Sequence, residues 1–178
     1  FANSAEGGLG AHLVQGDSLG GGIANLGSIA EIAASSFVGN DCLEHPNSFL
    51  AYSAGGGIYN ATDDVAPDDG LRLVDTLLAG NVATNGADCY STATLVSLGF
   101  NLAESPDISC SFASPGDIVG EDPQPLPPGD NGCTIALPGG GGLPTVAITA
   151  TSPAAAAGRC GEAGTETDAR GAIRPSDL

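Results

Sequence analysis

Lysine, methionine and tryptophan are missing from these 178 residues, and aromatics make up only 4%. Four arginines stand against 21 acids, for a formal charge of −17. Nucleic-acid binding needs a basic face, and so few cations cannot form one. The same deficit disfavours contact with anionic lipid. No apolar run of roughly 18 residues is present to insert into a membrane. Histidine is nearly absent as well. Only His12 and His45 occur, neither beside a Gly-x-Ser-x-Gly elbow, so a Ser/His/Asp hydrolase lacks its base. The glycine runs lack the Lys and Ser/Thr that phosphate binding requires. Three Tyr and five Phe are too few for an aromatic sugar platform. The five cysteines, Cys42, Cys89, Cys110, Cys133 and Cys160, contain no Cys-x-x-Cys pair, which removes the usual zinc spacing.

What the chain does have is glycine, 28 residues of it, and a phrase used twice. Gly20-Gly21-Gly22-Ile23-Ala24-Asn25 opens the first copy, and Phe37-Val38-Gly39-Asn40 closes it. Gly55-Gly56-Gly57-Ile58-Tyr59-Asn60 opens the second, and Leu78-Ala79-Gly80-Asn81 closes it. The openings lie 35 residues apart and the closings 41, so a loop absorbs the difference. Repetition at this period signals stacked units. Between opening and close, Ile29-Ala30-Glu31-Ile32 and Leu71-Arg72-Leu73-Val74 alternate with period two, which predicts strands. Small residues suit strands stacked about 4.8 Å apart around a thin core. The expected fold is all-β, a parallel β-helix (solenoid). Residues 1–112 supply its coils, and 113–178 form an irregular Pro/Gly-rich segment, packed on its side, that completes the same domain.

Within that frame Ile23, Ile29, Ile32 and Phe37 are expected to point inward. Asn25, Asn40, Asn60 and Asn81 fall at corners, because asparagine accepts positive φ and bonds nearby backbone. In successive coils they would stack as ladders. Residues 1–19 resemble a degenerate first coil with no polar cap, which would leave that end able to pair with another chain. The loop at 41–54 holds Cys42, Glu44 and His45, a poor metal set. A second loop carries Asp63, Asp64, Asp68 and Asp69. Four carboxylates on one turn make it the calcium candidate, although the spacing is not that of an EF-hand. Asn60-Ala61-Thr62 is a glycosylation sequon. Thr145-Val146-Ala147-Ile148-Thr149 reads as a further strand. Scattered cysteines in an acidic chain suggest disulfides and an extracellular setting. Spacing leaves the pairing open; the expected bridges are Cys89–Cys110 and Cys133–Cys160, with Cys42 left over. A first residue of Phe1 rather than Met suggests that a leader was removed or that the ordered part starts there.

The order of these pieces is itself informative. GGGI-x-N is followed by a Gly-Asn-ended strand, Asp88-Cys89, Ser97-Leu98-Gly99-Phe100-Asn101 and Cys110-Ser111-Phe112. Then come Gly116-Asp117 with Asp122-Pro123, Asp130-Asn131-Gly132, Ser152-Pro153-Ala154 and a closing run from Thr167-Asp168 to Arg174-Pro175. This series, spanning Gly20 to Pro175, resembles the bacterial choice-of-anchor proteins of the Q type, relatives of the polymorphic outer-membrane repeats. The resemblance implies a right-handed parallel β-helix displayed outside the cell, without defined catalytic residues. Cys133 to Gly142 stands as an insertion relative to that pattern, and Ala169 replaces its usual Gln.

Three functions compete. The favoured one is an extracellular structural subunit, joining copies of itself head to tail into a filament or matrix fibre. The alternative is a surface adhesin or carbohydrate-binding module. A polysaccharide-cleaving enzyme ranks last: Asp63/Asp64 and Asp68/Asp69 offer carboxylate pairs, but no sugar platform adjoins them in sequence. No enzyme activity and no cofactor beyond calcium is expected.

Overall fold

Period-two alternation puts one set of side chains on each face of a strand, and glycine or asparagine ends each run. A computed structural model of the chain describes residues 3–6, 17–44, 52–62, 70–106, 109–132, 144–155 and 157–158. The described residues are all β, without a helix. The first stretch gives β1 (Ser4–Glu6), β2 (Ser18–Leu19), β3 (Ile23–Leu26), β4 (Ala30–Ala33), β5 (Ser36–Val38) and β6 (Asp41–Leu43). The second gives β7 (Ser53–Ala54), β8 (Ile58–Ala61), β9 (Gly70–Val74) and β10 (Leu77–Ala79). The third gives β11 (Cys89–Ser91), β12 (Thr94–Ser97) and β13 (Leu102–Ala103), and β14 (Ile118–Val119) follows.

All the strand pairings are parallel. One sheet contains β3, β8 and β11; another contains β4, β9 and β12. A third runs β5, β10, β13 and β14, while β2 pairs with β7 and β1 with β6. Each three- or four-stranded sheet thus takes one strand from each successive stretch. Like residues consequently meet. Ile23 lies opposite Ile58, and Ile58 opposite Cys89. Ile32 lies opposite Leu73, and Phe37 opposite Leu78.

The middle of the stack holds the core. Ile58, Leu71, Leu73 and Leu78 are 0% exposed, joined by Cys89, Ala103 and Cys110. Burying each large aliphatic contributes about 2 kcal/mol. Their partners in the first stretch, Ile23, Ala30, Ile32 and Phe37, pack on this cluster but are only half-buried. Ile29, expected to face inward, is 71% exposed. The strand starts one residue later, and Ala30 takes the inward place opposite Leu71, which turns Ile29 out.

Two further differences concern the second half. β14 extends the third sheet from residue 118, inside the segment expected to be irregular. Thr145 to Thr149 makes no strand. It meets the Pro-rich segment only through isolated antiparallel bridges, Pro125 with Ile148 and Gly129 with Thr145. Pro125, Pro127 and Pro128 have no backbone N–H to donate, so a continuous ladder cannot form there.

Candidate functional site

The opening and closing phrases of the repeat meet in space. Asn25 donates from Nδ2 to Asn60 Oδ1 at 2.8 Å, and Asn60 donates onward to Ser91 Oγ and the Thr94 carbonyl. In a second column Asn40 donates from both its backbone N and Nδ2 to Asn81 Oδ1, each at 2.9 Å. Asn81 in turn donates to the Phe37 carbonyl and to Asp88 Oδ1. The structure therefore joins the four corner asparagines in two pairs, Asn25 with Asn60 and Asn40 with Asn81. All four are buried.

Glycine makes the room. A Cβ on Gly57 would lie 2.5 Å from the Asp88 carbonyl and 3.0 Å from Asn81 Nδ2. Gly22 bears the same relation to Asn40 Nδ2, at 3.2 Å. The third glycine of each opening vacates the space that the closing asparagine fills. The first glycine of each triplet acts through its backbone instead, and Gly20 and Gly55 turn the chain at φ +69 and +68.

Sequence reasoning missed the other members of this network. Asn3 extends the Asn40 column by donating to Asn40 Oδ1. Asn101 accepts from Thr76 N and donates to Leu73 O, Ser97 Oγ and Asp117 Oδ1, making a third buried asparagine hub. The only signal was its place in Gly99-Phe100-Asn101, a Gly-x-Asn variant of the Gly-Asn close. Asp88 and Glu104 border a hollow of about 270 Å³. Their oxygens accept from Asn81, Ser105 N and Gly80 N, so both carboxylates serve the scaffold.

Cys89 and Cys110 form a disulfide across 21 residues of sequence. Cys42 is a free, buried thiol, raised in pKa by its burial. Cys133 and Cys160 lie outside the described residues, as do His12, His45 and the calcium candidates Asp63, Asp64, Asp68 and Asp69. Among the described residues no group of three or more His, Cys, Asp or Glu is arranged to hold a metal ion. Replacing Cys89 and Cys110 together by Ser is expected to cost about 3 kcal/mol through the loop the bridge closes, seen as a lower urea midpoint. Cys42 should stay silent to Ellman's reagent until the chain is unfolded. Prompt reaction of the native thiol would contradict its burial.

One outer flank collects the three tyrosines of the chain. Tyr59 and Tyr90 occupy matched positions on β8 and β11, with ring centres 6.0 Å apart and planes 7° from parallel. Tyr52 meets Tyr90 edge-on at 6.2 Å. Counting rings gives no sign of this cluster, because a count does not show where the rings stand. Burial raises the Tyr52 hydroxyl, helped by a hydrogen bond with Tyr90 and by the charges of Tyr90, Tyr59 and Asp17. Burial, then Tyr90 and Asp17, raises Tyr59. The unfolded chain releases these protons near pH 10, as free tyrosine does. Folded Tyr52 and Tyr59 hold theirs to higher pH, so their share of stability is whole below about pH 10 and is lost as pH climbs through the folded values. Tyrosinate absorbance of the native protein should therefore lag behind that of the urea-unfolded chain. Coincident curves would contradict the cluster.

No family model, curated protein or solved structure matches this chain. No helix among the described residues is long and apolar enough to cross a membrane. The disulfide fits an oxidising, extracellular location.

Proposed function

We propose that this chain is an extracellular structural protein, a right-handed parallel β-helix whose copies join end to end. Parallel strands recurring in the same order on successive stretches support the helical reading, and parallel crossovers are overwhelmingly right-handed. The order of short motifs, resembling the choice-of-anchor proteins of the Q type, points the same way.

The observation that carries the assembly reading is the state of the first layer. Among the described residues, β1 and Asn3 cover this layer only along β6 and at Asn40, and no strand pairs with the outer edges of β3, β4 and β5. Beside those edges Leu26 is 59% exposed and Ile29 71%, while Ile23, Ile32 and Phe37 are less covered than their partners one layer in. An open parallel edge with apolar residues beside it is a template for another strand. A head-to-tail contact of this kind does not close, and it builds a filament. The −17 charge opposes sideways clumping without opposing growth along the axis.

Electron micrographs of the purified protein test this. Rods that lengthen with protein concentration are expected, and the Leu26→Lys/Ile29→Lys double variant should shorten them at least tenfold with its melting curve unchanged. Discrete particles at every concentration, calcium included, would overturn the proposal.

A further inference from the structure

We infer that the tyrosine flank is a binding site for a neutral polysaccharide, independent of any assembly at the strand edges. The tyrosines do not belong to the hydrophobic core, whose members are aliphatic side chains, cysteines and phenylalanines. A chain with so few aromatic residues has placed all its Tyr rings on one outer face.

The arrangement of that face specifies the ligand. Rings 6.0 Å apart and nearly parallel stack in one column, and both tyrosines are only half-buried. One position further along the same column, opposite Tyr59, stands Ala24, which is exposed and too small to cover the Tyr59 ring. Asp17 stands beside Tyr52, since Ser18 N bonds the Tyr52 carbonyl, and it too is exposed. Its charge reaches the hydroxyls of both Tyr52 and Tyr59. A niche results, with Ala24 as floor, Tyr59 as wall, and a carboxylate and two phenols at the rim.

A pyranose ring matches each of these parts. Its C–H face packs on an aromatic face, and its hydroxyls donate to Asp17 and exchange hydrogen bonds with the phenols. The −17 charge of the protein repels acidic glycans and nucleic acid, which leaves a neutral sugar chain. A quaternary ammonium also favours tyrosines and an acid, but it is held by ring faces converging on one point. Here the Tyr59 and Tyr90 faces are parallel and do not converge, and Tyr52, though nearly perpendicular, packs edge-on in direct contact with Tyr90 and leaves no gap between them for a cation.

Affinity electrophoresis in native gels containing laminarin, hydroxyethylcellulose, galactomannan or arabinoxylan tests the site. At least one of these neutral polymers should retard the wild-type protein. Tyr59→Ala and Asp17→Asn should each weaken that retardation about tenfold, the scale of one lost stacking or charge-assisted contact, while Tyr59→Phe keeps most of it. Asp17 is exposed, so its variant reports binding without a folding defect, and matched melting curves check the others. Three outcomes would overturn the inference: no retardation by any of the four polymers, equal retardation of wild type and both variants, or binding to alginate or tetramethylammonium only. Rod formation in micrographs is read separately, so the two proposals stand or fall apart.

Discussion

Asn81→Ala is expected to remove about 4 kcal/mol of stability, a large share of the margin of an ordinary domain. Four bonds end on this one side chain: two from Asn40, one to Phe37 O and one to Asp88 Oδ1. Truncation strands buried groups on both sides, at about 1–3 kcal/mol for each one left unsatisfied. Asn81→Asp should fare little better. Its two oxygens can accept from Asn40 but cannot donate to Phe37 O or to Asp88. Urea unfolding of the three proteins decides the matter, and a loss below about 1 kcal/mol for Asn81→Ala would show that the column is ornamental.

Gly57→Val should be comparably damaging, about 4 kcal/mol, by the opposite route of overfilling. Its Cβ would press on the Asp88 carbonyl at 2.5 Å and on Asn81 Nδ2 at 3.0 Å, displacing both backbone and column. Gly70→Ala is the matched control. There the new methyl meets Thr94 at 3.4 Å or more, an ordinary contact, and φ is not in the left-handed range. The control should melt at or slightly above the wild-type temperature, because alanine restricts the unfolded chain. Equal losses at Gly57 and Gly70 would mean that glycine matters here for flexibility and not for space.

The parallel all-β character was legible because two signals agreed. Alternation named the strands, and the doubled Gly-Gly-Gly/Gly-Asn phrase named which strands would lie together. The pairs Asn25–Asn60 and Asn40–Asn81 follow from that doubling alone, since equal phrases stack. The third stretch was harder to read because its register is different: Asn60 meets Ser91, 31 residues on, where no glycine triplet or asparagine marks the match. That offset hid the tyrosine flank. Tyr59 and Tyr90 are neighbours only once the shortened period is known. Ile29 shows a second limit. Alternation gives two possible faces, and a strand that begins one residue later exchanges them. Asp117, which accepts from Ser97, Asn101 and Ser114, was visible only as part of a motif. Its role depends on a loop closing onto a corner, and no local pattern reports that.

The unequal connections between matched strands have a practical consequence. Leu26 and Ala61 are partners, and so are Ala30 and Leu71. Three residues join the strands in the first copy and eight in the second, yet the pairing on either side is unaltered. Chain length between these strands is therefore decoupled from their pairing, since lengthening a connection costs little entropy. A foreign peptide spliced between Thr62 and Gly70 should ride on the scaffold without disturbing it, and the proposed fibre would then display that cargo once per subunit along its length.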